Sequence, residues 1–168
     1  MGYSHYWYRI ETPTGPLPPE PADAYARLAA DTHTIVDAAA VELADGAATP
    51  GSRAVIDDDG IWLNSAPPLD VETFAWPSQA GREPWWTTRP GERWWDACKT
   101  NRQPYDLVVC AVLIRAGTHY GPSLQVSSDG AWDGSTIDGR FWPEWTAARR
   151  LVVDLFGPTA DTNPLVTP

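Results

Sequence analysis

The segment from Pro104 to Arg115 constrains the fold most, because it is apolar on almost every side. A segment without a polar face must be covered on all sides, so the rest of the chain has to be built around it. Pro104 suits the first turn of a helix and Gly117 suits its end, which predicts a buried central helix. Its β-branched content leaves a buried strand as the alternative. The β-branched residues are Val108, Val109, Val112 and Ile114.

Two amphipathic patterns predict helices on either side of this segment. One extends from Pro21 to Leu43 and the other from Pro143 to Phe156, with apolar residues at three- and four-residue steps. Gly46 and Gly157 follow them and are suited to terminate them. Together with the central segment, these patterns predict about three helices.

Short apolar and aromatic segments predict strands, and most of them lie in the middle of the chain. Strands clustered in this way favour a single-domain α+β fold in which the helices pack on an antiparallel or mixed sheet. We expect the strand that begins at Tyr3 and the strand that ends at Cys98 to share one sheet, with the central helix packed on it. The predicted strands are Tyr3 to Ile10, a hairpin from Ala54 to Leu63 with its turn at Asp59-Gly60, Glu72 to Trp76, Trp94 to Cys98, and Leu124 to Ser128.

The length of 168 residues suits one domain with one well-buried core. Apolar residues make up 43% of the chain and charged residues 20%, which argues against disorder as the main state. We assign the domain to residues 1–158. Residues 159–168, beyond the terminator of the last helix, are expected to form a loosely ordered tail.

The charge and the cysteines limit the partners and the compartment. The net charge of −10 disfavours nucleic acid and anionic membranes, since both are bound through Lys and Arg. No apolar stretch reaches the ~18–20 residues that span a bilayer, and the opening residues lack the basic and apolar parts of a secretory signal. Cys98 and Cys110 have no short metal-binding spacing and would stay reduced in the cytosol. We therefore expect a cytoplasmic protein, in the host cytoplasm if the chain is phage-encoded.

The segment from Cys98 to Asp106 leads from a predicted strand into the predicted central helix. A helix start presents free N–H groups and a partial positive charge, which attract anions. Lys99, the only lysine of the chain, and Arg102 add positive charge there. The segment therefore predicts a site for a phosphate-bearing small molecule. Its candidate ligand-binding residues are Lys99, Thr100, Arg102, Tyr105 and Asp106.

A structural interpretation of the same segment stays open. Thr100 or Asn101 would cap the helix, and Arg102 would pair with Asp106 across one turn. Helix starts attract these residue types with or without a ligand.

The aromatic strand near the start of the chain is the second candidate site. On a strand, Tyr3, His5 and Trp7 share one face, and Tyr6 lies on the other. Aromatic strands usually belong to the core. One face could nevertheless stack on a base or sugar while His5 handles a proton, so His5 and Tyr6 join the candidate ligand-binding residues.

Three segments carry a resemblance to other sequences. They are Gly2-Tyr3-Ser4-His5-Tyr6-Trp7, the segment from Cys98 to Asp106, and the Ser128-Asp129-Gly130 turn before the last helix. They resemble an uncharacterised family of small proteins from phages, bacteria and some fungi, which begin Gly-Tyr-Thr-His-Tyr-Trp and carry Cys-Lys-Thr-Ala-Arg-Lys-Pro-Tyr-Asp. This chain departs from that pattern at Ser4, Asn101 and Gln103, and Gln103 removes a cation. The resemblance indicates which segments to test and implies no activity.

Other patterns are weaker. The run from Asp57 to Gly60 lacks the downstream ligands of a calcium loop and is better interpreted as a hairpin turn. The histidines and cysteines show no zinc spacing, and there is no Gly-rich nucleotide loop or nucleophile elbow. No local motif supports a Ser-His-Asp hydrolase. We expect neither a metal ion nor a cofactor.

Three functions follow as hypotheses. The first is the binding of a small anionic, nucleotide-like ligand at the cationic strand-to-helix site. The second is an enzyme that acts on such a ligand, with His5 or Asp106 as the general base and Cys98 as a nucleophile. The third is a phage structural, assembly or protein-interaction component in which paired tryptophans bury against a partner, since this acidic chain carries ten Trp.

Overall fold

The apolar central segment is a helix in the computed structural model of the chain, which describes residues 2–80, 95–137 and 139–166. The described helices are α1 (Ala24–Ala38), α2 (Asp106–Tyr120) and α3 (Thr146–Phe156). The described strands are β1 (Ser4–Tyr8), β2 (Glu11–Thr12), β3 (Gly15–Pro16), β4 (Leu43–Ala44), β5 (Val55–Ile56), β6 (Gly60–Ser65), β7 (Phe74–Pro77), β8 (Asp96–Lys99), β9 (Gln125–Ser128), β10 (Ser135–Ile137) and β11 (Arg140–Trp142). Three helices with antiparallel sheets confirm the α+β prediction.

Helix α2 is buried on almost every side and packs against α1, α3 and β9. The segment that is apolar on almost every side is therefore a helix and not the buried strand that its β-branched residues left open. It begins two residues after Pro104, because the first turn is tighter than an α-helix. The N–H groups of Asp106 and Leu107 donate to the carbonyls of Gln103 and Pro104, three residues back.

The sheet that carries the candidate site has the order β8-β1-β9, and both of its pairs are antiparallel. His5 lies opposite Cys98 on one side and opposite Ser128 on the other. His5 and Trp7 are fully buried on the face that meets α2, whereas Tyr6 is half-buried on the other face. The prediction that the two strands share a sheet with the central helix on it is confirmed for Asp96–Lys99. Trp94 lies outside the described residues.

A second sheet is built on β6, which pairs with β4, β5 and β7. The predicted hairpin between β5 and β6 is present, and the carboxylate of Asp57 accepts bonds from the N–H groups of Asp59 and Gly60 in its turn. The two sheets meet where the Trp7 ring stacks on the ring of Trp76, with a centroid distance of 5.7 Å. This aromatic contact ties the site-bearing sheet to the rest of the core.

Both flanking helices are shorter than predicted. Helix α1 ends at Ala38 and not at Leu43, because Leu43 and Ala44 form β4 and pair with the end of β6. Helix α3 begins at Thr146 and not at Pro143, since Glu144 has a φ of 37°, in the left-handed region. Pairing with a distant strand and a strained turn are features that helical periodicity does not show.

The segment after α3, for which we expected loose order, is attached to the body. Residues 158–160 form a 3-10 turn, and Asp161 pairs with Arg149 at 2.9 Å. Leu165 then forms a parallel bridge with Val126 of β9. Within the described parts of the chain, no helix has the length and apolar character needed to cross a membrane.

Candidate functional site

Polar side chains from four elements meet in the buried space between the β8-β1-β9 sheet and the start of α2. His5 comes from β1, Thr100 follows β8, Asp106 opens α2, and Ser128 ends β9. Asp106 and Cys110 are one helical turn apart and therefore share the face of α2 that covers β1. We call His5, Thr100, Asp106, Cys110 and Ser128 the polar cluster.

Both ring nitrogens of His5 are hydrogen-bonded. Nε2 lies 2.8 Å from Oδ1 of Asp106, and Nδ1 lies 3.0 Å from Oγ of Ser128. The Thr100 hydroxyl donates to the same Asp106 oxygen. His5 is fully buried, and the ring edges of Tyr3 and Trp145 fix its plane at centroid distances of 5.2 Å.

The hydroxyl of Ser128 sets the direction of the protons in this chain of bonds. Its oxygen accepts from the N–H of Gly130 at 2.9 Å and from Nε1–H of Trp145 at 3.3 Å. Those two bonds use the acceptor capacity of the oxygen, so its own proton is directed to Nδ1 of His5. His5 then carries its proton on Nε2 and donates it to Asp106. The order is therefore serine hydroxyl, imidazole, carboxylate.

Cys110 lies beside this chain of bonds without being part of it. Its Sγ is 3.6 Å from Nε2 of His5 and 3.9 Å from Oδ2 of Asp106. Burial, with the Asp106 charge as a further cause, raises the pKa of the Cys110 thiol well above its usual value. The thiol therefore stays protonated near neutral pH. His5, Asp106 and Cys110 each offer a metal-ligating atom, and these atoms lie within 4.8 Å of one another.

Tyr3 places a further hydroxyl at the cluster. The group is buried beside Gly130 and close to Ser128, and it has no hydrogen bond of normal geometry. Gly130 makes room for it, since a Cβ at that residue would lie 2.1 Å from the Tyr3 oxygen. Burial raises the pKa of Tyr3 far above its ordinary value, so the hydroxyl keeps its proton and remains a donor.

Arg102 covers the outer side of Tyr3. Its guanidinium carbon lies 3.9 Å from the centre of the Tyr3 ring and 5.1 Å from that of Trp142. One terminal nitrogen bonds Glu144 at 3.2 Å, whereas Nε is buried without a hydrogen-bond partner. The Glu144 carboxylate is itself buried and also accepts from Ser135. The Arg102 guanidinium is therefore fixed in place by Glu144 and the two rings, and its Nε–H donor has no partner.

Of the predicted site residues, the structure brings together His5, Thr100, Arg102 and Asp106. The Lys99 side chain is exposed and lies along Gly2, where an added Cβ would be 2.5 Å from its Cε. Both cations therefore flank the start of the first strand. Asp106 occupies the first helical turn itself, and that turn already bonds its own N–H groups to carbonyls.

The other predicted residues lie elsewhere. Tyr6 points to the opposite face of the sheet, near Trp95. The Tyr105 hydroxyl is 2.7 Å from the carbonyl oxygen of Glu72 and 3.6 Å from Sγ of Cys98. Burial raises the pKa of Cys98 to about 12, so this thiol is not a nucleophile near neutral pH. The paired tryptophans of the third hypothesis, apart from Trp95, lie outside the described residues.

Sequence reasoning missed Ser128, Cys110 and Trp145 as members of the site. Two signals were available. Asp106 and Cys110 are separated by four residues, and Ser128 belongs to a turn that carries the family resemblance. Neither signal shows that Ser128 lies opposite His5, which depends on the strand order.

No family model, no curated protein and no solved structure matches this chain. The geometry of the polar cluster is therefore the basis for assigning its chemistry.

Proposed function

We propose that the chain is a hydrolase for small anionic, nucleotide-like esters, with Ser128 as the nucleophile, His5 as the general base and Asp106 as the group that orients His5. The observation that supports this proposal is the direction of the hydrogen bonds, from the Ser128 hydroxyl to His5 and from His5 to Asp106. The Ser128 hydroxyl points at a ring nitrogen that can accept its proton, while the other ring nitrogen is held by a carboxylate. The relation of nucleophile, base and orienting acid is that of a serine hydrolase.

The chemical step follows from these contacts. The Ser128 oxygen bonds to the carbonyl or phosphoryl centre as its proton moves to Nδ1 of His5. The resulting imidazolium is stabilised by Asp106 through Nε2–H, and Thr100 holds that carboxylate in place. The ester bond then breaks, and the proton on Nδ1 goes to the leaving oxygen. Water, deprotonated by His5 in the same way, releases the product and restores Ser128.

Neighbouring hydrogen-bond donors stabilise the negative charges that develop on oxygen during the reaction. Gly130 N–H and Trp145 Nε1–H already point at the Ser128 oxygen and stabilise it as its proton leaves. The Tyr3 hydroxyl is a buried donor with no regular partner, and it suits the negative oxygen that develops on the substrate. Ser128 is half-buried, whereas His5 is fully buried.

The charge around the cluster supports an anionic substrate. Arg102 offers its unused Nε donor, and Lys99 lies exposed along the same N-terminal segment. Tyr3 and Trp142 supply aromatic faces next to Arg102 on which a base can stack. Carboxylates lie at this edge too, since Glu144 pairs with Arg102 and Glu72 accepts from the backbone N–H of Lys99, so the exposed Lys99 ammonium is the group that suits a phosphate.

The experiment combines turnover with covalent labelling. The nitrophenyl esters of acetate, phosphate and thymidine monophosphate serve as substrates, and a fluorophosphonate serves as the label. We expect turnover in the unaltered protein and phosphonylation at Ser128, located by peptide mass spectrometry. Ser128→Ala should lower kcat/KM by about 10²–10⁴-fold.

Ser127→Ala is the matched control, because Ser127 is the adjacent residue of β9 and its side chain points to the opposite face. Its rate should equal that of the unaltered protein. Turnover that survives Ser128→Ala would assign the activity to another group. An absence of both turnover and Ser128 labelling would contradict the hydrolase, and nucleotide binding measured by calorimetry would then favour the ligand-binding hypothesis.

A further inference from the structure

We infer that His5, Asp106 and Cys110 form a binding site for a thiophilic divalent cation such as Zn²⁺ or Co²⁺, and that the bound ion switches the Ser128 hydrolase off. The metal site stands on the geometry of the polar cluster alone. The switch rests on the proposed function, since it acts through His5.

The three ligand atoms lie within 4.8 Å of one another, which is close enough for them to converge on one ion. Zinc bonds of ~2.0–2.3 Å to nitrogen, oxygen and sulfur place neighbouring tetrahedral ligands about 3.3–3.6 Å apart. The Cys110 sulfur lies 3.6 Å from Nε2 of His5 and 3.9 Å from Oδ2 of Asp106. The other carboxylate oxygen of Asp106, Oδ1, lies 2.8 Å from Nε2 of His5 with a proton between the two atoms. A metal ion bound to Nε2 would take the place of that proton.

The charges and the softness of the donors favour a transition-metal ion. A carboxylate and a thiolate balance a divalent charge, and imidazole with thiolate selects zinc or cobalt over magnesium or calcium. Among the described residues, the groups with hydrogen bonds or ring contacts to the three ligands are uncharged, and the Glu144 carboxylate acts on Cys110 electrostatically. The uncharged groups are Thr100, Ser128, Tyr3 and Trp145.

The groups around the ligands are those of a metal site. Thr100 donates to Asp106, and Nδ1 of His5 is held against the Ser128 hydroxyl, so two ligands are oriented from behind. The Tyr3 hydroxyl is buried near the cluster and has no hydrogen bond of normal geometry. That orphaned oxygen is a second observation that indicates an absent partner.

Metal binding changes the number of protons carried by Cys110 and the position of the proton on His5. The Cys110 thiol loses its proton to solvent when the sulfur bonds the metal. The proton of His5 leaves Nε2, which binds the metal, and a proton then occupies Nδ1. The Ser128 oxygen accepts from Nδ1–H in place of its long bond from Nε1–H of Trp145. His5 can no longer accept the Ser128 proton, so the nucleophile is not activated. One proton is released for each ion bound.

The test of the metal site uses Co²⁺ as a spectroscopic probe, because thiolate coordination to cobalt produces an intense charge-transfer absorption. We expect one Co²⁺ per chain, the thiolate band, and one released proton detected with a pH indicator. Cys110→Ala should abolish the band and weaken binding by at least about tenfold. Cys98→Ala is the matched control, since Cys98 is equally buried but bonds Tyr105 and lies outside the three ligands.

Because the ligands are buried, Co²⁺ is added both to the native chain and during refolding from urea. No thiolate band under either condition would overturn the site, as would a band that survives in Cys110→Ala. If circular dichroism shows that Cys110→Ala is unfolded, Cys110→Ser replaces it in the same comparison.

The switch is tested separately by turnover with nitrophenyl esters. Zn²⁺ should inhibit the unaltered protein and Cys98→Ala, each relative to its own metal-free rate, and should inhibit Cys110→Ala at least about tenfold less strongly. Full turnover with the metal bound would overturn the switch. A chain that binds Co²⁺ through Cys110 but turns over no ester would confirm the metal site and contradict the proposed function, so the two failures are distinguishable.

Discussion

At the scale of single residues, Ser128 determines how the rest of the polar cluster can act. A hydroxyl that accepted only one bond could direct its proton elsewhere and leave His5 in either tautomer. With Gly130 and Trp145 both donating to it, the hydroxyl has one remaining partner, Nδ1 of His5. One side chain on a strand thus fixes the protonation pattern of a histidine on the neighbouring strand.

Asp106→Asn should cost about 1–3 kcal/mol of unfolding free energy, measured by urea denaturation. The amide oxygen can still accept from His5 and Thr100, which both bond Oδ1, but it carries no charge, so two bonds to a charged acceptor become weaker neutral bonds. The exposed Asp154 of α3 provides the comparison, because Asp154→Asn should stay within about 0.5 kcal/mol of the unaltered protein. Equal effects of the two substitutions would show that the Asp106 bonds contribute nothing to stability.

Lys99→Met tests whether the exposed Lys99 takes part in ligand binding, since no side chain caps α2 and Arg102 pairs with Glu144 and not with Asp106. If Lys99 contacts a phosphate, its loss should weaken nucleotide binding by about 1–3 kcal/mol in calorimetry. The melting temperature should hardly change, because the side chain is exposed. Thr100→Ala should show the opposite pattern, with a loss of about 1 kcal/mol of stability from its buried bond to Asp106. Unchanged binding in Lys99→Met would remove Lys99 from the site.

At the scale of elements, α1 and α2 are joined by a charged contact at the far end from the polar cluster. Asp31 of α1 accepts from both Arg115 and His119 of α2, each at 2.6 Å. Burial alone would raise the pKa of Asp31, but the bonds from His119 and Arg115 outweigh it and hold the pKa below its ordinary value of 3.8. A carboxylate with a depressed pKa stabilises the fold only while it is ionised.

Asp31→Asn should therefore lower stability in a pH-dependent way. Near neutral pH we expect a loss of about 1–3 kcal/mol, from two bonds to basic side chains. The difference from the unaltered protein should shrink as the pH falls below about 4 and through the folded-state pKa, where Asp31 is protonated in both states. Asp37→Asn, an exposed change on the same helix, should show no such trend. A difference that stays constant down to pH 2 would contradict the assignment.

The helices and strands also show which parts of the fold can be predicted from the sequence. The central helix, the hairpin at Asp59-Gly60 and the strand at His5 follow from local periodicity and turn chemistry, and all three are present. The end of α1 depends on pairing between β4 and β6, which no local pattern encodes. In the site, His5 and Asp106 were identified as candidates, but their contact with each other and with Ser128 requires the order β8-β1-β9.

At the scale of the whole molecule, the net charge of −10 governs long-range interactions. The arginines of the described residues are largely engaged, as in the pairs of Arg9 with Glu20 and of Arg149 with Asp133 and Asp161. We expect no detectable binding to duplex DNA of random sequence in physiological salt, measured by fluorescence anisotropy. Tight binding that weakens steeply with added salt would contradict this expectation.

The central position of β1 in its sheet affects the chain during its synthesis. Both strands that flank β1 are made much later, since β8 begins at Asp96 and β9 ends at Ser128. At ribosomal rates of ~5–20 residues per second, β1 waits on the order of ten seconds without a partner on either edge. An aromatic strand with two open edges is a template for pairing with other chains. Nascent chains arrested before Asp96 should therefore depend on chaperones far more than the finished protein does.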